Sequence, residues 1–325
     1  MSTIVFFAFT VIERKGIYME MKEFMIKVKK AISESLGGEY QVEVQEVQKN
    51  NNVVLQGLMI HSKEQNVSPT IYLDSFLKAY EKGITFAAII ERILNIYKED
   101  TPVENIDMSF FKHFEKVKDR ICYRLISAEQ NGELLTKVPH IEYLDLAICF
   151  YYAYQGETLG NGSILIHNSH MEMWNTTTDA LFELAQKNTP ELFPGKWNSM
   201  ETVIKELMAE QEEQGKEVSL DKEEQQEFFE QLPMKILSNS ARVYGAACIL
   251  YPELLARMAD SESCNYYIIP SSIHEVIALQ DTGKEDADKL REMIVEVNTT
   301  QVEPEEILSN SLYYFNRLTG QISIL

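Results

Sequence analysis

The chain has 325 residues, 45% of them hydrophobic and 25% charged, enough for about two domains with packed cores. Its formal net charge of −20 and pI near 4.8, with no basic run, argue against binding to nucleic-acid phosphates and against anionic membrane surfaces. No stretch approaches the ~20 apolar residues of a membrane span, and Cys122, Cys149, Cys248 and Cys264 are scattered without a C-x-x-C spacing. Buried, reduced thiols in a cytoplasmic protein are therefore expected.

The opening segment "MSTIVFFAFTVIERKGIYMEMKEFM" has neither basic residues ahead of its apolar part nor a small-x-small cleavage site after it. Lys15-Gly16 can be encoded AAA-GGA, a ribosome-binding sequence, at a suitable spacing before Met19. Translation is thus expected to start at Met19 or Met21, leaving residues 1–18 as a non-native or loosely packed extension; an extra edge strand is the alternative. "MKEFMIKVKKAISESL" then carries apolar residues on one helical side and stops at Gly37-Gly38. "YQVEVQEVQKNNNVVLQGLMIHS" alternates on both sides of Lys49–Asn52 and predicts a β-hairpin with a polar tip. Two helical segments follow, broken at Lys82-Gly83, so residues 19–100 read as an α-β-β-α-α unit. "DTPVENID" is the first plausible linker.

Residues 107–325 read as a second α+β domain. "DRICYRLISA", "IEYLDLAICFYYAY" and "GSILIHN" predict an antiparallel meander whose middle strand is buried, because its apolar run is continuous. "TTDALFELAQKN" predicts a helix with Leu181, Leu184 and Ala185 inward, ending at Asn188-Thr189-Pro190. Residues 201–230 carry eleven acidic and three basic side chains. The stretch 196–232 is therefore expected to be an exposed, partly helical insertion, either a solvated face or a docking element for a protein partner. "MKILSN", "GAACILYPELLARMADS", "CNYYIIP", "HEVIALQ", "EDADKLREMIVEVNTTQ" and "SLYYFNRL" then give a split β-α-β-β-α-β order, and "QISIL" closes a last hairpin at Thr319-Gly320. Pro304 opens a short helix before those strands.

Three stretches invite chemistry. In "ILIHNSHMEMWN", His167, His170 and Glu172 could ligate a metal, but nothing in their spacing holds them on one side. A helix start explains the same residues, with Ser169 as N-cap, Glu172 at N3 and Ile166 stapled to Met173; Asn168 and His170 remain candidate ligand contacts. In "IIPSSIHEV", Ser271 or Ser272 with His274 tempts a nucleophile-base reading, yet residues two or three apart in an extended segment rarely face each other in that way. A turn between strands is the simpler expectation. In "SNSARVYGAA", Asn239, Ser240 and Tyr244 could ring a helix N-terminus, but no Gly-rich phosphate cradle is present. No catalytic residue, metal site or cofactor motif is assigned.

Long segments, "GSILIHNSHMEMWNTTTDALFELAQKNTPELFP", "MKILSNSARVYGAACILYPELLARMAD", "YYIIPSSIHEVIAL" and "LREMIVEVNTTQVEPEEILSNSLYYFNRLTGQI", resemble the uncharacterised bacterial family called domain of unknown function 5688. The chain is more distantly similar to the domain-of-unknown-function family 1444 of Gram-positive bacteria. The resemblance implies a bacterial cytoplasmic protein and no activity. The expected function is a non-enzymatic binding or adaptor protein with a protein or small-molecule partner, and neither nucleic acid nor membrane. The alternative is a hydrolase whose pocket uses His170 and His274.

Overall fold

A computed structural model describes residues 19–63, 66–101, 107–156, 160–199, 202, 234–270 and 272–325. The chain divides into two compact units, one within residues 19–48 and 54–101, the other within 49–53 and 107–325. The fold class is α+β, with antiparallel pairing in all three sheets. Residues 1–18, the linker core 102–106 and the acidic stretch 201–230 apart from Thr202 lie outside the described residues. Among the described residues no helix is long and apolar enough to cross a membrane.

In the first unit, helix α1 (Met21–Leu36) buries Phe24, Val28 and Ile32, one residue per turn on one face. Gly37 ends it at φ 84°, where a side chain would be strained. Strands β1 (Tyr40–Gln48) and β2 (Val54–Ser62) pair from Tyr40↔Ser62 to Gln48↔Val54. An unanticipated third strand, β3 (Thr70–Tyr72), lies on the free edge of β2. Its close approach needs Gly57, where an added Cβ would stand 2.7 Å from both Thr70 Cγ2 and Val47 Cγ2. Helices α2 (Leu73–Glu81) and α3 (Phe86–Asp100) are separated at Gly83, φ 98°. Their apolar faces join α1 in a core around Leu58, Ile60, Leu73, Ile89 and Ile93.

The second unit opens with a short helix α4 (Phe114–Val117), strand β4 (Ile121–Ser127) and a one-turn helix α5 (Gly132–Leu135). The middle strand expected over "IEYLDLAICFYYAY" is in fact two, β5 (His140–Tyr143) and β6 (Leu146–Gly156), with Leu144 at φ 56° in the turn between them. Strand β6 pairs with β4 on one side and with β5 and β7 (Gly160–Leu165) on the other, and Leu146 through Ala153 are all buried because both faces are covered. Leu146, Ile148, Phe150 and Tyr152 pack into one core, Ala147, Cys149, Tyr151 and Ala153 into clusters on the other face. The open edge of β4 is covered by helix α7 (Thr178–Leu192), which follows a short α6 (Asn168–Trp174). Asn188 Nδ2 donates to the carbonyls of Lys118 and Ile121 at 2.8 and 3.0 Å, and Thr189 Oγ1 accepts from Tyr123 N at 3.1 Å. Side chains thus satisfy a strand edge that would otherwise offer its amides to another chain. This corrects the helix end expected at Asn188-Thr189-Pro190. The helix continues through Pro190 to Leu192, held in place by these bonds.

A six-stranded sheet completes the unit, built from β8 (Gly195–Ser199), β9 (Met234–Asn239), β10 (Tyr266–Ile269), β11 (Val276–Gln280), β12 (Tyr313–Asn316) and β13 (Gln321–Ile324), in the order β13-β12-β10-β11-β9-β8. Lys196–Ser199, expected in the insertion, instead belong to this sheet through β8. Strands β9 and β10 both run antiparallel to β11 between them, and β11 and β12 both run antiparallel to β10. Each β-α-β crossover therefore spans one intervening strand, the split arrangement expected from the chain order. The helix expected over "GAACILYPELLARMADS" divides in two. A 3-10 segment over Gly245–Leu250 stops before Pro252, which disfavours the helical conformation at Tyr251, and α8 (Leu254–Glu262) follows. One core joins both sheets and α8, around Tyr123, Phe150, Leu237, Met258, Tyr266 and Tyr313. Helix α9 (Ala287–Thr300) contributes Ile294 to a separate cluster with Ile269 and Leu312.

Candidate functional site

The site is built on the loop from Asn239 to Gly245. Asn239, 2% exposed at the end of β9, organises it. Its Oδ1 accepts from Ala241 N at 3.1 Å and Val243 N at 3.4 Å, while its Nδ2 donates to Val243 O at 2.8 Å. Ser240 N donates to Pro194 O at 2.9 Å, Arg242 N to Asn239 O at 3.1 Å, and Tyr244 N to His274 Nδ1 at 3.2 Å. Arg242 and Tyr244 sit at φ 52° and 53°, a left-handed conformation that costs a non-glycine residue roughly 1–2 kcal/mol. The amide bonds over-determine the loop and hold that strain. The imidazole of His274 accepts at Nδ1, so it carries its proton on Nε2, 3.6 Å from Glu306 Oε1.

The strain aims the ring of Tyr244 onto the four-stranded sheet. The ring lies parallel to His274 at 6.0 Å and edge-on to Tyr151 at 5.2 Å. Arg124 Nη1 donates to Tyr244 Oη at 3.0 Å, with the guanidinium carbon 5.0 Å from the ring centre, and Ser163 Oγ lies 3.3 Å from the same oxygen. Burial pushes the phenol pKa up, but the Arg124 charge and the bonds from Ser163 and Arg124 outweigh it, and the net value falls below that of an ordinary tyrosine. Beside this ring lies a cavity of about 450 Å³. Its walls come from Arg120 before β4, Tyr151, Tyr154 and Gln155 of β6, Asn161 to Ser163 of β7, Leu192 and Phe193 at the end of α7, and the Ser240–Tyr244 loop.

Aromatic faces, hydroxyls and one guanidinium group give this cavity the means to hold a ligand. Ser163 with the acidified Tyr244 has the outline of a nucleophile-base pair, but acyl transfer also needs amide donors for an oxyanion. The loop amides nearest to hand, those of Ser240 to Tyr244, are already spent on Pro194, Asn239 and His274. Cys122, opposite Tyr151 on the neighbouring strand, is pushed by burial up to about 12, which leaves it a thiol rather than a nucleophilic thiolate.

The model of a family of unknown function, DUF5688, matches residues 21–317. The chain belongs to DUF5688. No curated protein and no solved structure matches it.

In this DUF5688 chain the fold brings together four of the six residues expected to contact a ligand. Asn239 and Tyr244 shape the cavity loop, His274 anchors it, and Ser272 Oγ accepts from His274 N at 3.0 Å, in a turn rather than a nucleophilic pairing. Asn168 and His170 lie elsewhere. Asn168 N donates to Lys137 O at 3.0 Å and its Nδ2 to Thr136 O at 3.1 Å. His170 packs edge-on to Phe111 at 5.1 Å and beside Trp174 at 5.7 Å, and burial, aided by His167, lowers its pKa. The hydrolase reading therefore finds its two imidazoles among different neighbours.

The helix start at α6 also differs from expectation. His167, not Ser169, is the N-cap, and His170, not Glu172, stands at N3. The His170 imidazole accepts from His167 N at 3.1 Å, and His170 N in turn donates to the His167 carbonyl at 2.9 Å. An unprotonated imidazole nitrogen replaces the carboxylate of the usual capping box. Met173 is 45% exposed and does not staple the turn; Met171 packs on the core instead. Among the described residues no three His, Cys, Asp or Glu side chains are grouped to hold a metal ion. Reading the sequence missed Arg120, Arg124, Tyr151 and Ser163. A signal existed in "DRICYRLIS", where an arginine interrupts a strand that is otherwise buried.

Proposed function

We propose that this chain is a bacterial cytoplasmic, non-enzymatic binding protein whose ligand is a small molecule held in the cavity beside Tyr244. The observation that carries the reading is a loop strained at two non-glycine residues and braced by Asn239 and His274, which presents an aromatic ring to a cavity of about 450 Å³. Ligand sites are typically pockets of ~300–1,000 Å³ with mostly apolar walls and a few placed polar groups, rigid before the ligand arrives. The net charge of −20 supports a partner other than nucleic acid. Free cysteines, three of them buried, support a reducing compartment. Kinship with family 1444 remains part of the proposal, supported by the shared strand-helix-strand order.

The test is to purify the full chain from a bacterial host, release bound small molecules by denaturation and identify them by mass spectrometry. Gly162→Trp serves as the control. Gly162 lines the cavity and an added Cβ there meets only Tyr154 Cβ at 4.0 Å, so a large side chain can enter the cavity without displacing backbone. A molecule enriched with the wild type and lost from a folded Gly162→Trp variant supports the reading. A molecule retained equally by both refutes it.

A further inference from the structure

Carboxylates outnumber basic groups in this chain fifty to thirty, yet the described lining of the cavity contains none, and its one charged residue is Arg120. Arg120 uses Nε on Ala153 O at 2.6 Å, and among the described residues its terminal nitrogens meet no carboxylate. Arg124 is in the same position. Its Nη1 is engaged by Tyr244 Oη at 3.0 Å, its Nε is buried without a hydrogen-bond partner, and among the described residues no acid neutralises it. Both side chains are only partly exposed and, among the described residues, have no counter-ion, an arrangement that a bound anion improves. The amides of the Ser240–Tyr244 loop cannot supply that recognition, being spent within the fold. Any anion at this site is held by arginine, which suits a planar oxyanion. The remaining walls, Leu192, Phe193, Tyr154 and the Tyr244 ring, favour an apolar or aromatic body.

Building on the small-molecule reading above, we propose that the cavity takes an amphiphilic anion, with its single oxyanion head against Arg120 and its flat apolar body against Tyr154 and Tyr244. Phosphate-rich or doubly charged ligands fit poorly, because Arg120 is the one cation in the described lining.

The test uses two fluorescent probes of nearly one shape on the full chain: anilinonaphthalene sulfonate, which is anionic, and phenylnaphthylamine, its uncharged counterpart. The anionic probe is expected to bind at least about tenfold more tightly, and Gly162→Trp to abolish binding of both. Arg120→Gln is expected to erase the preference, weakening the anionic probe about tenfold (~1.4 kcal/mol) while leaving the neutral one within about twofold. Retained binding of the neutral probe certifies that the variant is folded, and Arg120→Lys should keep part of the preference. Equal binding of the two probes by the wild type, or a preference that survives Arg120→Gln, overturns the anion assignment and leaves the cavity as a site for neutral ligands. Failure of both probes to bind, or binding untouched by Gly162→Trp, removes the cavity reading itself.

Discussion

Gly245→Ala separates local preference from tertiary constraint. In helical backbone, alanine is favoured over glycine by about 1 kcal/mol, so local propensity predicts a more stable protein. Tertiary packing predicts the reverse. An added Cβ would collide with Ser238 Oγ and the His274 carbonyl and come within 2.8 Å of Asn239 N. Two of these three are backbone atoms, one in β9 and one in the turn before β11, so relief requires moving that strand or that turn. Overpacking of this kind costs about 1–3 kcal/mol, and loss of the Ser238 Oγ bond to His274 O (2.8 Å) adds about 1 kcal/mol. Set against the propensity gain, a net loss of about 2 kcal/mol should lower Tm by roughly 4–8 °C for a unit of this size. The assay is thermal unfolding followed by circular dichroism, with Gly132→Ala as control. An added Cβ at Gly132 meets nothing within 4 Å, so that variant should match or slightly exceed the wild type. A Gly245→Ala protein melting within a degree of the wild type would refute the claim that close packing fixes this loop.

Thr189→Val keeps the shape of the side chain but leaves Tyr123 N without its acceptor, and should cost about 1–3 kcal/mol in chemical denaturation; an unchanged midpoint would mean that α7 does not satisfy the edge of β4. Glu262 accepts from Lys235, Gln280 and Tyr266 Oη; burial raises its pKa, but these bonds outweigh it and hold the folded value below 4.5. Its stabilisation is therefore complete above the unfolded carboxylate pKa and is lost as pH falls through the folded one. Glu262→Gln should accordingly be less stable than the wild type by roughly 1–2 kcal/mol at pH 7, with the gap closing in acid; a gap independent of pH would show that the charge is immaterial. Ser169→Ala should change stability by less than about 0.5 kcal/mol, whereas His170→Ala should cost about 1 kcal/mol by leaving His167 N without its acceptor. The opposite ranking in parallel melts would restore Ser169 as the N-cap.

Elements set by neighbours close in sequence were legible without the structure. Helix α1 has Phe24, Val28 and Ile32 a turn apart with a glycine stop after them, the break at Gly83 requires positive φ, and β6 is apolar from Leu146 to Ala153. Periodicity and glycine report interactions within a few residues, so they can be read from the chain alone. Elements decided by distant partners could not be read that way. Strand β3 forms because β2 has a free edge to pair with, and α7 runs past Pro190 because Asn188 and Thr189 bond to a strand some 66 to 70 residues earlier. His167 takes the cap from Ser169 because Asn168 is tied to Thr136 and Lys137, which moves the helix start back by two residues. Half of the site followed the same division. Asn239, Ser272 and His274 announced themselves as turn formers near strand ends. The pairing of Arg124 with Tyr244 joins residues 120 positions apart, and only the packing of the two sheets in one unit decides that a guanidinium from one meets a phenol carried by the other.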